Sequence, residues 1–141
     1  YRLALIHPRS WSERALTEAD VAQLRERPFI TYEPNQTTRT LAMGFLTRAM
    51  QAAPRVTTTA SGSTSVTQLV ARGLGYAIVP EWAVGPRDPL IARVVLQGIE
   101  PLRVQFAQAA FLEHNPHVRQ LFALCREVMT EAFSTAPQDE G

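Results

Sequence analysis

Residues 73–80 read Gly-Leu-Gly-Tyr-Ala-Ile-Val-Pro, two glycines followed by an apolar run and a proline. The apolar run predicts a buried β-strand that the proline stops. Gly73 suits the left-handed residue that ends a helix predicted at 64–72, and Gly75 permits a tight turn. A dinucleotide-binding loop must follow a strand and open a helix, so the reverse order here argues against a nucleotide site.

The alternation of helix and strand extends through the rest of the chain. Short apolar or β-branched runs predict strands at 3–6, 29–32, 56–60, 76–79, 91–96 and 103–112. Apolar residues spaced three and four apart predict helices from Thr17 to just before Pro28, at 41–50, at 64–72 and from the Asn115-Pro116 cap onward. Strands that alternate with helices predict an α/β fold with a largely parallel sheet.

Two polar loops each follow a predicted strand and open a predicted helix. One consists of Asn35, Gln36, Thr37 and Thr38, and the other of Ser61, Gly62, Ser63 and Thr64. In an open α/β sheet such loops lie at the carboxyl ends of strands, where ligands bind, and helix N-termini favour carboxylate or phosphate groups. Ordinary helix capping uses the same residue types. The spacing therefore leaves a ligand site and simple capping equally open.

The histidines indicate little further chemistry. His7 ends the first predicted strand beside Pro8, where its ring either faces a cleft or stands in solvent. His114 and His117 have no third ligand nearby, so no metal site is predicted. The sequence contains no nucleophile elbow and no spacing of acids and bases that suggests proton transfer, so catalysis is not predicted.

The last predicted helix carries an apolar stripe of Val118, Leu121, Phe122, Cys125, Val128 and Met129. Cys125, on this stripe, is expected to pack as a small hydrophobic residue. As the single cysteine of the chain it cannot form an internal disulfide, and a reducing cytoplasm is the expected location.

Length and composition narrow the class of protein. A chain of 141 residues, 45% hydrophobic and 19% charged, fits one globular domain or two small lobes. Its net charge of +1 is too small for non-specific nucleic-acid binding. No apolar run reaches the ~18 residues that a membrane span needs. The chain begins at Tyr1, without Met, directly before an apolar run, which predicts that an N-terminal portion is missing.

Three segments, in this order, carry a resemblance to a known family. They are residues 3–8 (LALIHP), residues 16–21 (LTEADV) with 28–30 (PFI), and residues 73–81 (GLGYAIVPE). The sequence resembles the effector-binding domain of LysR-type transcriptional regulators from about residue 3 to about residue 130. The Gly-x-Gly-x-x-x-x-Pro element is the most specific part of this resemblance.

The resemblance implies a type II periplasmic-binding-protein-like α/β fold, in which two lobes joined by two crossing strands hold an effector between them. A Rossmann-like lobe with a mostly parallel sheet and part of a second lobe would be present. Residues 1–7 would be a crossover strand, 8–91 the second lobe, 92–133 the other crossover strand and the end of the first lobe, and 134–141 a disordered tail. The DNA-binding winged helix-turn-helix and the first half of the first lobe would be absent.

The resemblance also implies a site and partners. The loop that matches Ser61–Thr64 would line the effector cleft, with Asn35–Thr38 and His7 as further candidates. The effector would be a small carboxylate, and no cofactor, metal, membrane contact or enzymatic activity is expected. The chain would form a homodimer or a higher oligomer, with the helix at 38–51 against the partner's first lobe. It would reach DNA only through the absent domain.

Three other functions remain as alternatives. A solute-binding protein of similar fold would need a secretion signal upstream. An enzyme could occupy the same two-lobe scaffold, since a fold does not determine a function. A truncated fragment could also bind nothing and expose the stripe between Val118 and Met129, which would favour association.

Overall fold

The computed structural model describes residues 1–103 and 114–134. The strands are β1 (Leu3–Pro8), β2 (Phe29–Tyr32), β3 (Val56–Ala60), β4 (Tyr76–Pro80) and β5 (Ile91–Val95). The α-helices are α1 (Thr37–Met50), α2 (Ser63–Ala71) and α3 (Pro116–Ser134), and short 3-10 helices span Arg9–Trp11, Glu18–Leu24 and Glu81–Ala83. The strand predicted at 103–112 falls almost entirely outside the described residues. Of the predicted tail, Ser134 belongs to α3 and 135–141 lie outside them.

The five strands form one sheet in the order β3-β2-β4-β1-β5. β2 pairs in parallel with β3 and β4, whereas β1 pairs antiparallel with both β4 and β5. All strands except β1 therefore point in the same direction. The predicted α/β fold is confirmed, and the sheet is mixed because the reversed strand lies inside it.

Two compact units divide the chain. One comprises Arg2–Leu102 and contains the whole sheet, and the other comprises Tyr1 and 103–141. The two strands predicted to cross between lobes, β1 and β5, are neighbours in the sheet of the first unit. The division of the chain into lobes remains a prediction.

The core of the first unit lies on both faces of the sheet. Every residue of β1, β2 and β4 is buried, because successive side chains of a strand point to opposite faces and helices pack on the sheet. On one face, Val66 and Val70 of α2 join a cluster with Ile30 and Ala77. On the other face, the Tyr76 ring lies 5.1 Å from that of Phe29, centroid to centroid.

The two glycines between α2 and β4 have different roles. Gly73 has φ 82°, which confirms the predicted left-handed residue at the helix end. A Cβ on Gly75 would lie 2.6 Å from the carbonyl oxygen of Pro28 and 3.0 Å from Cγ1 of Ile30. The backbone at Gly75 thus passes directly against the strand next to it. Glycine is required there by this close approach and not only by a tight turn.

The helix predicted after Thr17 is present as the 3-10 helix Glu18–Leu24, whose Val21 and Leu24 are buried. The Asp20 carboxylate accepts hydrogen bonds from the Thr17 backbone N–H (2.8 Å) and hydroxyl (2.9 Å), and it forms a salt bridge with Arg14. The hydrogen bond from Arg14, and then those from Thr17, lower the pKa of Asp20 from 3.8 to about 2. This confirms the predicted start of the helix.

Helix α3 begins as predicted. The Asn115 side-chain oxygen accepts the backbone N–H of His117 at 2.9 Å and that of Val118 at 3.4 Å. Of the predicted stripe, Val118, Phe122, Cys125 and Met129 are half-buried, whereas Leu121 and Val128 are exposed. The half-buried face of α3 is therefore narrower than the predicted apolar stripe.

No helix in the described ranges is both long and apolar enough to cross a membrane.

Candidate functional site

The two predicted loops begin side by side at one edge of the sheet. Strands β2 and β3 are parallel, and their last residues, Tyr32 and Ala60, are opposite one another in the register. The chain enters α1 at Thr37 after the first loop and α2 at Ser63 after the second. Parallel pairing thus brings together the segments 33–38 and 61–64. Each lies at the carboxyl end of a strand, the region where ligands bind in open α/β sheets.

Neither helix uses a side chain to cap its N-terminus. Gln36 is the N-cap of α1 and makes no side-chain capping hydrogen bond, and the N-cap of α2 is Gly62, which has no side chain. The first-turn N–H groups of an α-helix have no partner within the helix. Side-chain capping, the alternative interpretation of these loops, is therefore not provided by either N-cap residue.

Ser63 is held by the last residue of the neighbouring strand. Its hydroxyl lies 2.6 Å from the phenol oxygen of Tyr32. The Tyr32 side chain is buried in the cluster with Val66 and Val70 of α2, and Ser63 is half-buried. Ser61 and Thr64 are exposed beside it. Among the predicted residues of this loop, Ser63 has the most constrained position.

The first loop turns sharply at Asn35, whose φ of 72° lies in the left-handed region that asparagine tolerates. Asn35, Gln36 and Thr37 are exposed and Thr38 is half-buried. Nη1 of Arg39 donates a hydrogen bond to the Tyr32 carbonyl at 2.9 Å. A half-buried guanidinium thus lies at the end of β2, close to the predicted loop.

Sequence reasoning missed two residues of this edge, Tyr32 and Arg39. Tyr32 is the last residue of a strand and Arg39 the third residue of the helix that follows the loop. A polar-tipped aromatic at a strand end and a cation in the first turn of the next helix are the signals that point to them. Both patterns are common in α/β proteins, so neither identifies a functional residue from the sequence alone.

His7 lies at the other end of the sheet. It follows Ile6, which pairs with Ala77 near the start of β4, whereas the two loops follow the carboxyl ends of β2 and β3. The ring is 1% exposed, and Nδ1 is 2.8 Å from the Pro8 carbonyl oxygen. Its Nε2 has no hydrogen-bond partner among the described residues. The structure does not bring His7 to the loops.

Two grooves lined by described residues lie away from the loops. One of about 350 Å³ and one of about 330 Å³ lie beside the C-terminal end of α2. The residues common to both are Ala71, Arg72 and Leu90. Within the described ranges, no group of three or more His, Cys, Asp or Glu side chains is placed to hold a metal ion.

Comparison with solved structures shows the fold. QuiR, whose effector-binding domain was solved with shikimate, matches with a TM-score of 0.56 and 13% identity over 71% of this chain and 47% of that one. The CcmR regulatory domain of Synechocystis PCC6803, solved with 2-PG, matches with a TM-score of 0.54 and 14% identity over 98% and 64%. Full-length CbnR, solved with its target DNA, matches with a TM-score of 0.51 and 24% identity over 67% and 34%.

The chain thus spans less than two thirds of each of these proteins. No curated protein gives a significant sequence match. The sequence profile of the LysR substrate binding domain matches residues 1–130, which include the whole sheet and both loops. The chain belongs to the LysR substrate binding domain family.

Proposed function

We propose that this chain is the effector-sensing part of a transcriptional regulator and that it binds a small anionic molecule at the carboxyl edge of β2 and β3. The observation that carries the proposal is the pair of adjacent helix N-termini that have no side-chain cap. Unpartnered N–H groups and the positive end of the helix dipole attract an anion. The proposed contacts are Ser61, Gly62, Ser63 and Thr64, with Asn35–Thr38 beside them.

The solved relatives support a small-molecule ligand. QuiR holds shikimate, a carboxylate, and the CcmR regulatory domain holds 2-PG. Arg39 supplies a positive charge at the end of β2, since its guanidinium is bonded to the last residue of that strand. A carboxylate at this edge would be met by hydroxyl donors, backbone donors and this cation. We propose binding without turnover, so the chain is not an enzyme.

Binding to DNA is proposed to depend on other parts of the protein. Full-length CbnR was solved with its target DNA, and this chain covers only 34% of it. The net charge of +1 is too small to hold DNA through phosphate contacts alone. A regulator of this kind works in the cytoplasm, and we propose that it forms a homodimer or a higher oligomer in which α1 contacts the partner.

A thermal-shift titration tests the ligand site. Shikimate, 2-PG and inorganic phosphate are added to the wild-type chain, to a Ser61→Ala/Ser63→Ala double variant, and to Ser10→Ala. Ser10 is an exposed serine just after β1, at the opposite end of the sheet, and serves as the matched control. At a hundred times Kd a ligand stabilises the folded state by about 2.7 kcal/mol.

The wild type and Ser10→Ala should show the same concentration-dependent rise in Tm, and the double variant should lose it. A rise that the double variant retains would place the ligand elsewhere. A flat response of the wild type to all three probes would count against an anion site at this edge.

A further inference from the structure

We infer that Tyr32 is a positioning residue of this site: its phenol donates a hydrogen bond to Ser63, which leaves the Ser63 proton for the ligand and makes the site prefer hydrogen-bond acceptors. This inference rests on the proposed function and adds to it a residue and a selectivity. Tyr32 would act through Ser63 and need not contact the ligand.

The direction of the hydrogen bond follows from the chemistry of the two hydroxyls. The oxygens are 2.6 Å apart, and each carries one proton, so one of them must donate. A phenol is a stronger acid than an aliphatic alcohol, and its oxygen is a poorer acceptor because the ring withdraws its lone pair. This difference in acidity favours Tyr32 as the donor and Ser63 as the acceptor.

The Ser63 proton then has no acceptor in the part of the chain that the structure describes. Ser63 makes no other side-chain hydrogen bond among the described residues. It is the first residue of α2, where the backbone supplies more donors and Gly62 leaves the approach without a side chain. A carboxylate has only acceptor atoms and matches this set of donors, whereas an amide N–H group would meet other donors.

Tyr32 is held firmly enough for this role. Its side chain is 4% exposed and packs with Val66 and Val70 of α2. Its backbone carbonyl accepts the hydrogen bond from Arg39 at 2.9 Å. One residue therefore anchors the serine through its side chain and the guanidinium through its main chain. Replacing Tyr32 by phenylalanine removes the first anchor and leaves the second.

The test is an NMR titration of the 15N-labelled chain with acetate and, separately, with acetamide. These probes have nearly the same shape, but only acetate consists of acceptors alone. The Ser63 backbone amide shift reports binding in the wild type, Tyr32→Phe, Ser63→Thr and Tyr76→Phe. Tyr76→Phe is the matched control, because this buried phenol contacts the Met50 sulfur and not the loops. A Ser63→Ala variant is followed through the Thr64 amide.

Tyr32→Phe should weaken acetate binding roughly five- to tenfold, the value of one hydrogen bond, and change acetamide binding less than about twofold. The preference for acetate should therefore fall, a result that a merely structural role would not produce. Tyr76→Phe should leave the preference unchanged, and Ser63→Thr should retain it because the hydroxyl remains. Thermal melts check that each variant is folded.

An unchanged ratio of acetate to acetamide affinity in Tyr32→Phe would overturn the role of Tyr32. If the ratio is unchanged in Tyr32→Phe but Ser63→Ala loses acetate binding, the proposed function stands without a role for Tyr32. A wild-type chain with no saturable acetate shift at Ser63 would also overturn the inference. The shikimate and 2-PG titrations decide the proposed function separately.

Discussion

Replacing Gly75 by alanine should disrupt the start of the parallel pairing between β2 and β4. The added Cβ would lie 2.6 Å from the Pro28 carbonyl oxygen and 3.0 and 3.1 Å from two carbons of Ile30. The carbonyl cannot simply turn away, because it accepts the backbone N–H of Tyr76 at 3.0 Å. This bond adjoins the register pair Phe29 and Tyr76. Relief of the contact must therefore separate the two strands.

The size of the effect follows from what is lost. Moving the oxygen by the ~0.6 Å that a normal contact needs would stretch the hydrogen bond past the ~3.2 Å limit of good geometry. A buried donor left without its acceptor costs about 1–3 kcal/mol, and crowding at Ile30 adds about 1 kcal/mol. The sum is about 2–4 kcal/mol. For a chain of this length that corresponds to a fall in Tm of roughly 6–12 °C.

Thermal unfolding followed by circular dichroism measures this fall. Gly85→Ala is the control, since a Cβ there meets no atom within 4 Å. The control should melt within about 2 °C of the wild type, as surface substitutions usually do. If Gly75→Ala melted as close to the wild type as the control does, the close approach of the two strands would not be what requires glycine.

Two further changes test the core and the 3-10 helix Glu18–Leu24. Thr31 is 2% exposed, and its hydroxyl has no hydrogen-bond partner among the described residues. Thr31→Val should therefore raise the free energy of unfolding, measured by urea titration, by about 1 kcal/mol. A decrease would show that the hydroxyl is bonded. Asp20 has a pKa of about 2 in the folded chain against 3.8 ordinarily, so its contribution to stability is complete above about pH 4 and is lost as the pH falls towards 2. Asp20→Asn should therefore lose less stability than the wild type between pH 5 and pH 2.5, and equal losses would contradict the role assigned to this carboxylate.

Much of the fold is predictable from the sequence where the interactions are local. The apolar run of β4 predicts a buried strand from composition alone, and the structure extends it by one residue to Pro80. Asn115 caps α3 through N–H groups two and three residues away, and Asp20 bonds to Thr17 three residues before it. These contacts form between near neighbours in the chain, so the spacing of residue types is enough to identify them.

The candidate site is only partly predictable. The positions of both loops are predictable, because a polar stretch between a strand and a helix is a local pattern. Tyr32 and Ser63 are 31 residues apart, and no local rule places their hydroxyls in contact. Local sequence patterns do not predict the positions of Arg39 and His7 relative to the loops either. Each depends on which strands are neighbours and in which direction they run.

The sequence by itself determined the kinds of elements, their order and the polar character of the two loops. The tertiary structure decided that β1 runs against its neighbours inside the sheet, that His7 lies at the edge away from the loops, and that Tyr32 holds Ser63. The physical reason is that strand order and register depend on how both faces of the sheet are covered by helices from distant parts of the chain. Strand order and register therefore depend on the packing of the whole unit and cannot be predicted from any single segment.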